Sequence, residues 1–207
     1  MPSSPVHLRL ADIMADELEV KDRGSFLLGS IAPDCVNYGM EQASEEVRYR
    51  AHIRDRDYDI WKKKLRAFYQ DNKQQFAGSI DYLRGYLFHC WADIAWDEEV
   101  QPALFEFLGT LGYGYDDMTG QKWQELYRFN SVVTKAPGYD GYRRLIKAAE
   151  PLDIAGCPAD LIGKYRDYVA DDYRDKITDA EPLFLSERHI EVTAERIREY
   201  AGYFSRG

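Results

Sequence analysis

Residues 83–100, LRGYLFHCWADIAWDEEV, constrain this chain more than any other stretch. Placed on a helical wheel at about 100 degrees per residue, Tyr82, Gly85, His89, Asp93 and Trp96 share one narrow face. Leu83, Leu87, Cys90, Trp91 and Ile94 cover the opposite side. A helix that is apolar opposite its polar stripe belongs at the centre of a core, which puts His89 and Asp93 inside the protein. A buried carboxylate without a partner costs several kcal/mol, so Asp93 must be paired, protonated or bound to a cation. From this segment alone two answers stand: an i,i+4 hydrogen bond to His89, or a metal ion.

The rest of the chain reads as helices. Trp61, Leu65, Phe68 and Tyr69 form a stripe within residues 58–76, and Ser186 can cap a helix whose Ile190, Ala194, Ile197, Ala201 and Phe204 form another. Residues 121–133, 142–149 and 159–170 read as further helices. Gly112-Tyr113-Gly114, Thr119-Gly120, Pro137-Gly138, Gly156-Cys157-Pro158 and Pro182 divide them. Convincing period-2 alternation is almost absent. With 207 residues, 45% of them hydrophobic and 14% aromatic, the length suits one well-cored domain over residues 1–207. The expectation is an all-α, single-domain, multi-helix bundle.

Composition excludes several roles. No apolar run of about 18 residues is present for a membrane span, and residues 1–20 alternate charged and apolar positions without a signal-peptide core. A cytoplasmic protein without stable membrane association is expected. Three cysteines, Cys35, Cys90 and Cys157, form no C-x-x-C pair, which fits reduced thiols. A net charge of -9 repels nucleic acid at long range, so no nucleic-acid partner is expected.

Three of the four histidines stand beside features that suit metal binding. His7 lies at the start of an amphipathic stretch, Pro5-Val6-His7-Leu8-Arg9-Leu10. Asp34 follows Pro33, which ends the apolar segment 26–32 and fixes the carboxylate at a turn. His52 sits among Arg50, Arg54, Asp55 and Asp57. With His89 and Asp93 these make three imidazoles and two carboxylates, donors that suit zinc and its first-row neighbours. Five donors can form one site with an open position, or two sites sharing a bridging Asp93. Each has a plainer reading alone: His7 as a surface or capping residue, Pro33-Asp34 as a turn, His52 as part of a solvated face, Cys35 and Cys90 as small buried hydrophobes. What sets them apart together is their order.

That order is His7, then Gly29-x-x-x-Pro33-Asp34, then His52, then Gly85-x-x-x-His89-x-x-x-Asp93. It resembles the zinc-dependent phospholipase C family, whose all-α fold is shared with single-strand-specific zinc nucleases, over roughly the first half of the chain. The resemblance implies that Asp34, His52, His89 and Asp93 bind one zinc and that Asp93 bridges to a second, which His7 helps to hold. Members with three zinc ions carry another His soon after the bridging Asp and a downstream His-x-x-x-Glu. Here Trp96, Asp97, Glu98 and Glu99 follow Asp93, and His189 is followed at the fourth position by Thr193. The third site is therefore expected to be absent, and His189, in the first turn of a capped helix, to be structural or at the surface. The N-terminal Trp that secreted members use as a ligand has no counterpart in Met1-Pro2-Ser3-Ser4.

The functional expectation is a metal-dependent phosphoesterase with one or two zinc ions, iron or manganese being compatible with the same donors. A divalent ion lowers the pKa of bound water to about 7 and polarises a phosphoryl oxygen. Asp34 and Asp93 are the candidate catalytic residues, Asp34 also orienting the attacking water, with metal-bound hydroxide as the nucleophile. Arg54 and Lys135, the latter in a loop, are candidates for holding a substrate phosphate. The substrate is expected to be a small soluble phosphoester, since the chain lacks a basic amphipathic helix for an anionic leaflet. Tyr113, Tyr115, Tyr127, Tyr139 and Tyr142 either line a pocket for it or pack helices. The alternative is a noncatalytic helical binding protein that keeps a structural metal site or only the fold.

Overall fold

The structure is a computed structural model that describes residues 1–39 and 43–200. It is all-α. The helices are α1 (Ser4–Ala15), α2 (Arg23–Gly29), α3 (Glu45–Ala51), α4 (Tyr58–Asn72), α5 (Ile80–Glu99), α6 (Gln101–Thr110), α7 (Tyr115–Lys135), α8 (Tyr139–Ala148), α9 (Ala159–Asp167) and α10 (Glu187–Tyr200). Short 3-10 segments cover Ala32–Asn37 and Ala77–Ser79, and a π-turn covers Tyr168–Asp172. Among the described residues there is no strand, only an isolated bridge between Ile154 and Cys157.

Helix α5 is the axis of the molecule, as its wheel implies. Every residue from Asp81 to Asp97 except Arg84 is buried, and α1, α2, α4, α6 and α10 all pack against it. The closest approach is to α2, and it depends on two glycines. A Cβ at Gly85 would overlap the Phe26 carbonyl oxygen, and one at Gly29 would overlap that of Tyr82 and lie 2.8 Å from the Tyr86 amide nitrogen. Only glycine lets the two backbones meet in this way. The contact carries the chain beyond α2, beginning with Ser30, up to the polar stripe of α5.

The other elements follow their sequence signals with instructive exceptions. On α4, Trp61 and Leu65 are buried and Phe68 and Tyr69 pack at the edge of the core. The helix stops at Asn72, whose side-chain amide donates to the Phe68 carbonyl. On α10, Ile190, Ala194 and Ile197 are buried, while Ala201 and Phe204 lie outside the described residues. Ser186 precedes this helix, but the cap is built differently from the expected one. The His189 ring nitrogen accepts from the Ser186 backbone N–H at 3.0 Å, doing what Glu does in a capping box. His189 is thus a structural residue, and burial lowers its pKa.

Thr119-Gly120 does not break the chain as expected, since both residues lie inside α7. A single glycine costs a helix only about 1 kcal/mol relative to alanine, and the buried Leu126, Phe129 and Val133 anchor the helix downstream. Helix α9 ends at Asp167 and widens into the π-turn before residue 170. The three cysteines are free and buried. No helix among the described residues is long and apolar enough to cross a membrane.

The glycine contact yields opposite expectations for two alanine substitutions. Gly85→Ala must push α2 off α5 and is expected to cost about 3 kcal/mol or more. Gly120→Ala meets nothing within 4 Å and is expected to gain about 0.5–1 kcal/mol. Urea denaturation of both variants checks this; equal small effects would contradict the backbone contact.

Candidate metal centre

Four separate local structures deliver the five donors. His7 stands in the first turns of α1, which Pro5 opens from a position where its missing N–H costs nothing. Pro33 opens the turn Ala32–Asn37 in the same way and sets Asp34 in it. His89 and Asp93 stand one turn apart on α5.

His52 closes α3, and its backbone is held from several sides. Ile53 N–H reaches the Arg50 carbonyl at 3.1 Å and Arg54 N–H that of Tyr49 at 2.8 Å, the two bonds of a Schellman ending. This ending normally has glycine where Ile53 stands at φ 51°, a conformation costing a β-branched residue roughly 1–2 kcal/mol. The strain persists because neighbours fix the turn. Trp61 donates its indole N–H to the His52 carbonyl at 3.0 Å, Cys90 its thiol to the same oxygen at 3.3 Å, and Tyr86 its hydroxyl to the Ala51 carbonyl. Cys90 is therefore more than a small hydrophobe.

The side chains converge on one point. His7 Nε2 lies 3.4 Å from Asp93 Oδ1, and His52 Nε2 lies 3.5 Å from Asp34 Oδ1 and 3.9 Å from Asp93 Oδ2. His89 Nε2 lies 3.7 Å from Asp93 Oδ2 and 3.9 Å from Asp34 Oδ1. The rings of His7 and His89 stack with centroids 3.9 Å apart. His7, His52, His89 and Asp93 are at most 1% exposed, whereas the Asp34 side chain keeps 16% of its surface.

Hydrogen bonding separates this cluster from an ordinary polar core. His52 Nδ1–H donates to the Arg48 carbonyl at 2.9 Å and His89 Nδ1–H to the Ser30 carbonyl at 2.8 Å. Each bond fixes the tautomer and aims the Nε2 lone pair at the carboxylates, the usual support of a metal-binding imidazole. Among the described residues neither of these Nε2 atoms nor either Asp93 oxygen has a hydrogen-bond partner, and the same is true of both His7 nitrogens. The i,i+4 hydrogen bond between His89 and Asp93 is not formed, since the 3.7 Å separation is too long. Buried polar atoms are nearly always satisfied. Two triads, His7-His89-Asp93 and Asp34-His52-His89, each bring donor atoms within 4.8 Å of one another, close enough to hold an ion. The orphaned atoms and the mixed nitrogen and oxygen donors fit a first-row divalent cation.

The titrations are set by burial and by neighbours. Burial, with His7 alongside, pushes His89 down to about 3. Burial also opposes charge on Asp93, but His89, His7 and His52 outweigh it and hold the carboxyl below the usual range. Asp34 is lowered by the same balance, burial against His89 and His52. Burial works against a charged His52 as well, yet Asp34 and Asp93 raise it above its ordinary value.

The residues expected to hold phosphate lie elsewhere. Arg54 stacks over Trp61 with its guanidinium carbon 5.0 Å from the ring centroid and reaches Asp97 at 3.5 Å. Lys135 is the last residue of α7 rather than a loop residue, exposed and 3.8 Å from Asp179. Neither lines the cleft that opens on Asp34. That cleft, about 560 Å³, carries Arg48 and Lys176 and the aromatic residues Tyr38, Trp123, Tyr127, Tyr165, Tyr168 and Tyr173. Of the five tyrosines named from the sequence only Tyr127 is among them; Tyr139 and Tyr142 are buried helix-packing residues. The cleft was invisible in the sequence because its lining comes from segments more than 100 positions apart. Asp97 and Glu98 are engaged elsewhere, Asp97 with the Met1 ammonium at 2.7 Å and Glu98 with Lys62, Arg196 and Tyr200.

Proton competition gives the centre a pH signature. A metal needs neutral imidazoles, and protons begin to occupy His52 above the ordinary imidazole pKa, whereas His89 resists them down to about 3. Added zinc is expected to raise the melting temperature at pH 8, with the shift shrinking toward pH 5. Thermal melts with and without zinc at the two pH values check this; an equal shift at both would contradict binding through these histidines.

No protein-family model matches the chain, and comparisons with curated proteins and with solved structures likewise gave no match.

Proposed function

We propose that this chain is a metal-dependent phosphoesterase acting on small phosphoesters, organised like the zinc-dependent phospholipase C family but without its third metal site. The reading assigns Asp34, His52, His89 and Asp93 to one zinc ion, and His7 with Asp93 to a second. The observation that carries it is the convergence of buried, unbonded Nε2 and carboxylate oxygen atoms whose imidazoles are anchored through Nδ1 on backbone carbonyls. His7 lacks such an anchor, so the second ion is held less tightly than the first. Iron or manganese suits the same donors.

A bound divalent ion supplies Lewis acidity toward a phosphoryl oxygen and acidifies water at neutral pH. The protein supplies the geometry. Asp93, fully buried, points its two oxygens at different histidines, Oδ1 toward His7 and Oδ2 toward His52 and His89, as a bridging carboxylate requires. Asp34 is the donor that lines the cleft, so on this reading the substrate approaches from its side and its carboxylate orients water there. The near-complete burial of the other donors supports the alternative, a noncatalytic protein with a structural metal. The opening of the cleft on Asp34 favours catalysis.

Hydrolysis of 4-nitrophenyl phosphate and bis(4-nitrophenyl) phosphate tests the reading. Activity is expected after chelation and zinc reloading, with a loss of about 100-fold or more in His89→Ala and Asp93→Asn. Folded, zinc-loaded wild type that hydrolyses neither ester would leave the structural-metal reading in its place.

A further inference from the structure

The cleft over Asp34 has a composition that the metal centre does not require. Its volume of about 560 Å³ falls within the range of small-molecule sites, about 300–1,000 Å³. Aromatic rings dominate its walls. Tyr38 lies 6.1 Å from Tyr165 and 5.2 Å from Tyr168, and Tyr168 lies 5.3 Å from Tyr173, measured between centroids. Trp123 and Tyr127, one turn apart on α7, are 6.4 Å apart. Among the described residues no leucine, isoleucine, valine or phenylalanine lines the cleft, and its aliphatic lining is Met1 and Pro2. An acyl chain would find little aliphatic wall here, whereas a planar ring would find aromatic neighbours.

The charges narrow the ligand further. Arg48 and Lys176 line the same cleft, and Lys176 Nζ lies 5.3 Å from the Tyr127 ring centroid. Aromatic boxes also hold quaternary ammonium groups, but with Asp34 committed to the metal centre the Arg48 guanidinium in the wall opposes such a guest and attracts an anion. Arg48 has a double position. Its backbone carbonyl fixes the tautomer of His52, while its side chain lines the cleft beside Asp34 with Nε buried and unbonded. A phosphoryl group at the metal centre would thus meet a guanidinium, whose planar fork matches phosphate oxygens.

We infer that the cleft selects phosphoesters whose alcohol carries a planar aromatic ring, with Trp123 and the tyrosine cluster receiving the ring and Arg48 the phosphoryl oxygens. This inference rests on the phosphoesterase reading for its biological sense, but it is tested by binding alone. The shared chemistry, an anion joined to a flat ring, is supplied by simple aryl esters and by nucleotides.

Isothermal titration of the full chain with phenylphosphonate and propylphosphonate, neither of which has a hydrolysable ester bond, reads the selectivity directly. Chelated and zinc-loaded protein are compared, and adenosine 5′-monophosphate is titrated into the chelated protein to separate the two sources. Phenylphosphonate is expected to bind about tenfold more tightly than propylphosphonate in both states. Trp123→Leu is expected to reduce that ratio to near one with propylphosphonate affinity unchanged, and Arg48→Gln to weaken both phosphonates about tenfold with the ratio kept. Tighter binding of the nucleotide than of phenylphosphonate assigns the ring to a nucleobase, and the reverse assigns a small aryl group. Equal affinity for the two phosphonates in wild type, or an unchanged ratio in a folded Trp123→Leu, would overturn the inference. Loss of hydrolysis with the ratio intact would overturn the phosphoesterase reading alone.

Discussion

Six side-chain nitrogen and oxygen atoms of His7, His52, His89 and Asp93 are buried without a hydrogen bond from any described residue. This is the constraint on which the rest of the structure depends. A carboxylate and three imidazoles in a low-dielectric interior strengthen every interaction they make and raise the cost of every one they lack. Removing one partner from such a cluster leaves the others uncompensated. A cation that accepts lone pairs from several sides resolves the conflict. The anchoring of His52 and His89 on the Arg48 and Ser30 carbonyls makes the arrangement specific, because each bond commits one ring nitrogen and presents the other.

The fold supplies the anchors through main-chain proximity. Gly29 and Gly85 bring α2 against α5, and the Ser30 carbonyl then lies beside His89. At the end of α3, three donors from α4 and α5 hold the strained turn that exposes the Arg48 carbonyl to His52. Backbone strain of this kind survives only where surrounding structure over-determines it. The two anchors are unequal to the task of fixing His7, which stacks on His89 without a hydrogen bond of its own.

The legible part of this architecture was the part encoded by periodicity. The wheel of residues 83–100 identified α5 as central because burial on one helix is written at consecutive positions. The ordered donors could be collected because His is rare here, with only four in the chain, and because Pro33 marks a sharp turn. The glycine pair itself appeared as spacing in a motif, while its physical reason, two backbones in contact, needed both helices in place. Arg54 stood out by its place two residues beyond His52 and Lys135 as a basic residue in a loop; Arg54 lies against Asp97 and Trp61, and Lys135 stands exposed at the end of α7 near Asp179. The ring cluster of Tyr38, Tyr165, Tyr168 and Tyr173 joins distant segments, and no local pattern announces such a wall. The length of α7 was obscured by Gly120, whose cost a long packed helix absorbs.

The reading of the centre as a metal site is tested most directly by elemental analysis of protein purified without chelator or a polyhistidine tag. About one to two equivalents of zinc or another first-row metal in the wild type are expected, and His89→Ala and Asp93→Ala are expected to lose them. Wild type that is folded, metal-free and unable to take up added zinc would contradict the account and return the cluster to the status of an unsatisfied polar core.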